Sequence, residues 1–267
     1  MDRVSLAEQS ASLMESFGLA GGEVISLVGA GGKTTLMYAL AKEMARDGRL
    51  AVTTTTTKIL APSAEESDLL FLDEEENLLY RVAACRGHRR VVTAVRRSLG
   101  SGKLEGVSSE FVDQLSLLGG FSGIIVEADG AARCSLKAPN ATEPVIPEST
   151  TVVIAVSGME KLGCPLDYDH VFRAEIAADL LGIPLGSVMG PEEIAKLITH
   201  PRGIAKGTPS HARIVPLLNQ VDLDGDLRGA RLTAQAILSA GHPQIDRVVV
   251  GEARKGKFLV LELAAIS

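Results

Sequence analysis

The segment Val24-Ile25-Ser26-Leu27-Val28-Gly29-Ala30-Gly31-Gly32-Lys33-Thr34-Thr35 limits what this chain can fold into more than any other. It reads as a buried strand, a glycine-rich turn and the first turn of a helix that runs on through LMYALAKEMAR. Glycines let successive backbone N–H groups point inward at phosphate oxygens. A helix starting near Lys33 adds the positive end of its dipole. Lys33 can reach the β- and γ-phosphates of a nucleotide, and the Thr34 hydroxyl suits Mg²⁺. The full G-x-x-x-x-G-K-[ST] pattern would have its first glycine at Leu27, so this is a shortened G-x-G-G-K-T-T form. The candidate nucleotide-binding residues are Gly29, Ala30, Gly31, Gly32, Lys33, Thr34 and Thr35.

The rest of the chain alternates strand and helix patterns. Strands are expected at Val24–Val28, Leu50–Thr54, Val91–Val95, Gly123–Glu127, Thr151–Val156, Ala212–Leu218, Val248–Val250 and Phe258–Leu263. Helices are expected at Ser5–Phe17, Thr34–Arg46 (ended by Asp47-Gly48), Ser108–Leu118, Phe172–Leu181, Glu192–Ile198 and Leu227–Ser239, and in part of the acidic stretch Glu65–Ala84. Ala138–Pro147 is proline-rich and must be extended or turned. Aromatic residues make up 3% and Trp is absent, so the core must be built from Val, Leu, Ile and Ala. That suits α/β architecture: a mostly parallel sheet with helices on both faces, like that of phosphate-loop nucleoside-triphosphatases, with a small insertion. A single nucleotide-binding domain over residues 1–267 is expected, with an insertion or lobe at about 60–120.

A net charge of −6 argues against a nucleic-acid-binding surface spread over the whole protein. No apolar stretch approaches the ~20 residues of a membrane helix, and Asp2 to Leu19 is too polar and mixed for a leader. Cys85, Cys134 and Cys164 are far apart and odd in number, as expected of reduced thiols rather than a disulfide framework or metal site. A cytoplasmic protein is expected.

Ile124-Ile125-Val126-Glu127-Ala128-Asp129-Gly130 is the second site signal. Apolar residues ending in an acid at a strand's C-terminal end resemble the element that holds Mg²⁺ opposite the phosphate-loop Thr. Glu127 and Asp129, two apart, share one side while the chain is extended. The expected division is Asp129 with Thr34 on the metal and Glu127, with Lys33, in the chemistry. Asn219-Gln220-Val221-Asp222 follows a core strand and resembles the N-K-x-D guanine-reading element, with Gln220 in place of Lys. An Asp carboxylate there accepts two guanine hydrogen bonds that adenine does not offer. Asn and Asp are also ordinary turn residues. Thr53 to Thr57, ending at Lys58, leaves the second strand on the phosphate-loop edge. Thr55, Thr56 and Lys58 are candidates for contact with substrate, against plain β-propensity at a strand end. Lys137 and Glu143 either line a substrate pocket or lie on the surface. Arg86, His88, Arg89, Arg90, Arg96 and Arg97 read as a solvated basic face or a dock for an anionic partner, without the interleaved aromatics that base stacking needs.

Together VGAGGKTT, TTTTTK, VEADGAARCSLKAPNATEPVIP, the Lys206-Gly207-Thr208-Pro209 element and LLNQVD resemble, in that order, the YqeC-type proteins, a family of selenium-dependent molybdenum hydroxylase accessory proteins. The resemblance spans nearly the whole chain, and its EADGA…LKAP…EPVIP block is more specific than any phosphate loop. It implies a phosphate-loop nucleotide hydrolase that serves hydroxylase maturation, with a molybdenum hydroxylase or its cofactor-loading chaperone as partner; the loop threonine and acidic pair add Mg²⁺, and Asn219-Gln220-Val221-Asp222 is the basis for expecting GTP in preference to ATP. The short loop also resembles the ATP site of the Mur ligases and keeps ATP open. Two other classes share these residues. One is a ligase or kinase-like enzyme that uses ATP to activate an acid or a selenium species. The other is a non-catalytic nucleotide switch that docks a hydroxylase.

Overall fold

The computed structural model describes residues 4–10, 12–46 and 49–263. In chain order its strands are β1 (Val4–Ser10), β2 (Val24–Gly29), β3 (Leu50–Thr55), β4 (Lys58–Leu60), β5 (Leu69–Leu72), β6 (Arg90–Val95), β7 (Arg97–Gly100), β8 (Lys103–Glu105), β9 (Phe121–Glu127), β10 (Leu136–Lys137), β11 (Val152–Gly158), β12 (Val171–Phe172), β13 (Arg213–Asn219), β14 (Arg247–Glu252) and β15 (Lys257–Leu263). Its helices are α1 (Leu13–Ser16), α2 (Lys33–Ala45), α3 (Glu75–Ala83), α4 (Ser109–Leu118), α5 (Ala174–Leu181), α6 (Pro191–Thr199) and α7 (Arg228–Ser239). Asp2, Ala11, Asp47 and Gly48, on which parts of the sequence reading fall, lie outside the described residues.

Ten strands form one sheet in the order β1-β15-β14-β13-β11-β2-β9-β3-β6-β5. From β14 to β5 every neighbouring pair is parallel, and β15 and β1 close one edge as antiparallel additions. The central strands β2, β3, β9 and β11 are buried along their whole length, which their unbroken runs of apolar and β-branched residues allow. Alternation along β2 sends its side chains to two cores. Ile25 and Leu27 pack with Leu36, Met37, Leu40 and Met44 of α2. On the opposite face Val24, Ile124 and Val126 meet α3 and α4, while Val28, Val153 and Ala155 meet α5, α6 and α7. The mostly parallel sheet with helices on both faces is the expected α/β class.

Residues 60–120 divide between two sheets. β5, β6, α3 and α4 extend the main sheet, whereas β7 and β8 pair with β4 in a separate three-stranded antiparallel ribbon.

Six short strands, β4, β5, β7, β8, β10 and β12, appear where none was expected, and one expected helix takes another form. The helix expected over Ser5–Phe17 is only Leu13–Ser16, capped by Ser12, whose hydroxyl accepts from the Glu15 N–H at 3.0 Å. Val4–Ser10 is a strand against β15. Val4 and Leu6 flank Ser5 with a period of two as well as a helical one. The open edge of β15 offers backbone partners, and tertiary pairing decides between the two readings.

Candidate functional site

β2 lies between β9 and β11 in register, Leu27 beside Glu127 and Gly29 beside Val156. The glycine turn and the two acids therefore leave adjacent strands at the same edge, where open parallel sheets bind ligands. Each of the three glycines is required. Gly29, Gly31 and Gly32 have φ of 92°, 95° and 109°. A Cβ on Gly29 would sit 2.2 Å from the Val156 carbonyl, one on Gly31 2.6 Å from the Gly158 nitrogen, and one on Gly32 2.5 Å from the Asn219 amide. Ala30 anchors the turn by donating its N–H to the Val156 carbonyl at 2.9 Å.

α2 then begins with no side-chain cap, since Gly32 occupies its N-cap position. Its first N–H groups have no intrahelical acceptor and open toward a cleft of about 850 Å³ that Gly31, Gly32, Lys33, Thr34 and Thr35 border. α4 is closed by Ser108, which accepts from the Phe111 N–H at 3.0 Å, while α3, α5 and α7 also start without a side-chain cap; what sets α2 apart is the left-handed glycine turn ahead of it. An uncapped helix start behind a glycine turn is chemically an anion seat.

The charged groups around this seat form one buried chain. Lys33 donates to the Gly29 carbonyl at 2.7 Å and lies 3.1 Å from Asp129 Oδ1 and 3.8 Å from Glu127 Oε1. Asp129, with no exposure, also accepts from the Gly29 N–H at 3.0 Å and from Lys137 at 2.8 Å. Lys137, equally inaccessible, reaches the Gly130 carbonyl at 2.6 Å and lies 3.6 Å from Glu143, which pairs with Arg173 at 2.8 Å. Thr34 donates its hydroxyl to Glu127 Oε2 at 2.7 Å. Two lysines thus balance two carboxylates at the loop, as burial of both acids demands.

Burial pushes the Glu127 carboxyl above its ordinary range, against the opposing pull of Lys33 and the Thr34 hydrogen bond. Burial likewise pushes the Lys137 ammonium down, against Asp129. Glu143 lies below its ordinary value: burial works to raise it and is outweighed by the Arg173 hydrogen bond and the charges of Lys137 and Arg173.

The structure brings Lys33, Thr34, Glu127, Asp129 and Lys137 together. The carboxylate beside Thr34 is Glu127, while Asp129 is enclosed by the loop N–H and two ammonium groups. Among the described residues no three His, Cys, Asp or Glu side chains are grouped as a metal site. Asn219 serves the loop: its amide donates to the Gly31 carbonyl at 2.6 Å and its oxygen accepts from the Ala253 N–H at 2.9 Å. Asp222 is exposed, and with Gln220, Glu252, Arg254, Gly32 and Thr35 it borders a cavity of about 330 Å³ beside the helix start.

The threonine hydroxyls are largely committed to the backbone. Thr55 donates to the Glu127 carbonyl at 2.7 Å and Thr56 to the Val145 carbonyl at 2.7 Å. Lys58 is exposed at the cleft. The basic residues 86–97 divide between the two ends of β6: Arg86, His88 and Arg89 precede it, and Arg96 and Arg97 follow it. They form no single patch, because six extended residues span roughly 20 Å.

Arg173 and Arg254 escaped the sequence reading. Arg173 adopts a left-handed φ of 64° at the start of α5, and nothing local marks it. Arg254 lies in the polar turn between β14 and β15, where only the turn itself was legible.

The family model described as YqeC protein matches residues 25–175. The curated Escherichia coli K12 protein named "Uncharacterized protein YqeC" is 32% identical over 207 residues, which cover 74% of this chain and 75% of that protein.

Proposed function

The chain belongs to the YqeC family, and from that premise we propose that it binds and hydrolyses a nucleoside triphosphate with Mg²⁺, GTP in preference to ATP. The observation that carries this reading is the left-handed glycine turn that leads into α2, with Lys33 and Thr34 turned toward a buried carboxylate pair at the same sheet edge.

In this reading the loop N–H groups seat the β- and γ-phosphates. Lys33 exchanges part of its contact with Asp129 for phosphate oxygens, and Lys137 keeps Asp129 neutralised as it does so. Asp129 acts as a positioning residue that holds the Gly29 N–H and aims Lys33. The donor set fits Mg²⁺: a hydroxyl and a carboxylate 2.7 Å apart, Thr34 and Glu127, would hold it, the remaining positions going to phosphate and water. Bound there, the ion would neutralise phosphate charge. Glu127 Oε1, 3.8 Å from Lys33 and outside hydrogen-bond range, is the oxygen left to orient the attacking water. With Asn219 holding the loop, base choice rests on Asp222, supported by its exposed carboxylate in the cavity beside Thr35.

The resemblance to selenium-dependent hydroxylase accessory proteins supports maturation of molybdenum hydroxylases as the process served, with a hydroxylase or its chaperone as partner and a cytoplasmic setting. Among the described residues no helix is long and apolar enough to cross a membrane.

A titration of fluorescent GTP and ATP analogues with and without Mg²⁺, paired with phosphate-release kinetics, tests the reading. Mg²⁺-dependent binding with turnover is expected. Absence of binding by either nucleotide would overturn it.

A further inference from the structure

The phosphate cleft continues into a second cavity of about 460 Å³, bordered by Thr56, Thr57, Lys58, Arg96, Gly106 and Glu143. Lys58 and Gly130 line both spaces. Sheet order fixes the direction in which this cavity lies. The base-side cavity flanks the end of β13, the glycine turn follows β2, Glu127 ends β9, and Thr56 to Lys58 follow β3, each strand further along the same edge. A nucleotide with its base at Asp222 and its phosphates on the loop therefore points its γ-phosphate at the second cavity.

The cavity has a built wall. The ribbon of β4, β7 and β8 folds over the end of β3, with the Gly106 N–H donating to the Thr57 carbonyl and the Val107 N–H to the Thr55 carbonyl, both at 2.9 Å. A Cβ on Gly106 would lie 2.0 Å from the Thr55 carbonyl oxygen, so only glycine lets the ribbon approach this closely. The charged groups around the cavity are unequal in what they have left to offer. Of its acids, Glu143 is held by Arg173 and Lys137, and Glu105 by Arg97. Of its cations, Lys58 forms no ion pair among the described residues, and Arg96 has one 3.7 Å contact with the exposed Glu74. Lys103, on the same ribbon and facing the phosphate cleft, is also unpaired among the described residues. Lys58 and Arg96 act at longer range on Glu105, which Arg97 already holds, so the cations around the cavity outweigh its acids, and they face the position where the γ-phosphate would end.

We propose that this cavity binds a second ligand, a small oxyanion (a carboxylate or an inorganic oxyacid), held by Lys58 and Arg96 beside the γ-phosphate. The proposal rests on the nucleotide reading above. The ribbon is what recognises the oxyanion.

The test starts from full-length protein saturated with Mg²⁺ and the β,γ-imido analogue of GTP, so that the phosphate seat is filled. Malonate and, separately, sulfate are then titrated by calorimetry at constant ionic strength; the two arms distinguish an organic acid from an inorganic oxyanion. Saturable binding of one of them is expected. Arg96→Gln and Lys58→Gln should each weaken it about tenfold or more, the scale of a lost charge-assisted hydrogen bond. Arg96→Gln should do so without a parallel loss of nucleotide affinity. Failure of the nucleotide analogue to bind overturns both readings. Nucleotide binding with no saturable anion, or with anion binding indifferent to both substitutions, overturns the second site alone.

Discussion

Lys33 and Lys137 share one carboxylate. Their ammonium groups lie 3.1 and 2.8 Å from opposite oxygens of Asp129, which no solvent reaches. In the proposed function Lys33 must be held in place yet be free to turn to phosphate. A second buried lysine on the same acid meets both needs, because Asp129 does not become an unpaired buried charge when Lys33 moves.

Lys33→Ala should abolish hydrolysis and weaken triphosphate binding roughly 10- to 150-fold, the cost of one lost charge-assisted contact. It should also destabilise the ligand-free fold by about 1–3 kcal/mol, because Lys33 is buried, hydrogen-bonded to Gly29 and ion-paired with Asp129. Nucleotide titration and urea denaturation measure the two effects. Wild-type binding and turnover in the variant would remove Lys33 from the site.

Lys137→Met should cost more in stability, about 3–5 kcal/mol, since it leaves Asp129 with Lys33 alone and Glu143 with Arg173 alone. In the folded fraction, nucleotide affinity should fall too, because Lys33 becomes the sole counter-charge of Asp129. An unchanged denaturation midpoint would contradict the burial of this ammonium.

Glu127 carries a pH signature. Burial raises its pKa in the folded chain above 4.5, so the folded state holds that proton more tightly than the unfolded chain does. Its contribution to stability is complete below 4.5 and is lost as the pH rises through the folded value. Glu127→Gln, neutral throughout, should match wild type in acid and exceed it in stability at neutral pH, measured without metal. The same substitution should slow turnover by about 10²- to 10⁴-fold. Denaturation curves across this range decide; a variant less stable than wild type at neutral pH would show that the ionised carboxylate is net stabilising.

Asp222→Ala should weaken GTP by roughly 5- to 30-fold and ATP much less, the modest size reflecting an exposed carboxylate. Asp222→Asn should shift preference toward xanthine nucleotides, because an amide donates where a carboxylate only accepts. Competition of GTP, ATP and XTP against a fluorescent GTP analogue measures this. Equal displacement by ATP and GTP in wild type, unchanged in Asp222→Ala, would remove the guanine preference.

The parts of this architecture that were legible in the sequence were those fixed by local chemistry. Gly29, Gly31 and Gly32 announce a turn that no other residue can make, and an unbroken apolar run announces a central parallel strand. What depends on partners distant in sequence was not legible. Asn219 looks like a base reader beside Asp222, yet its amide spans 188 residues back to Gly31. Thr55 and Thr56 look available, yet their hydroxyls close the backbone of β9 and of the proline-rich segment. The period of two that places Glu127 and Asp129 together says nothing of which one meets Thr34. That choice is set where β9 ends and the chain turns toward Lys137. Val4–Ser10 follows the same rule, since its conformation is decided by the edge of β15.

The Asn219 tether limits how far the glycine loop can be transplanted. The stretch matched by the family, residues 25–175, carries the glycines, both carboxylates and Lys137. The brace that holds Gly31 comes from the end of β13, and that brace is itself held by Ala253 in the hairpin beyond. Excised or grafted by its motifs alone, the stretch would keep every chemically reactive side chain and lose the backbone support under its own loop. The smallest portable unit of this site runs to the C-terminal hairpin.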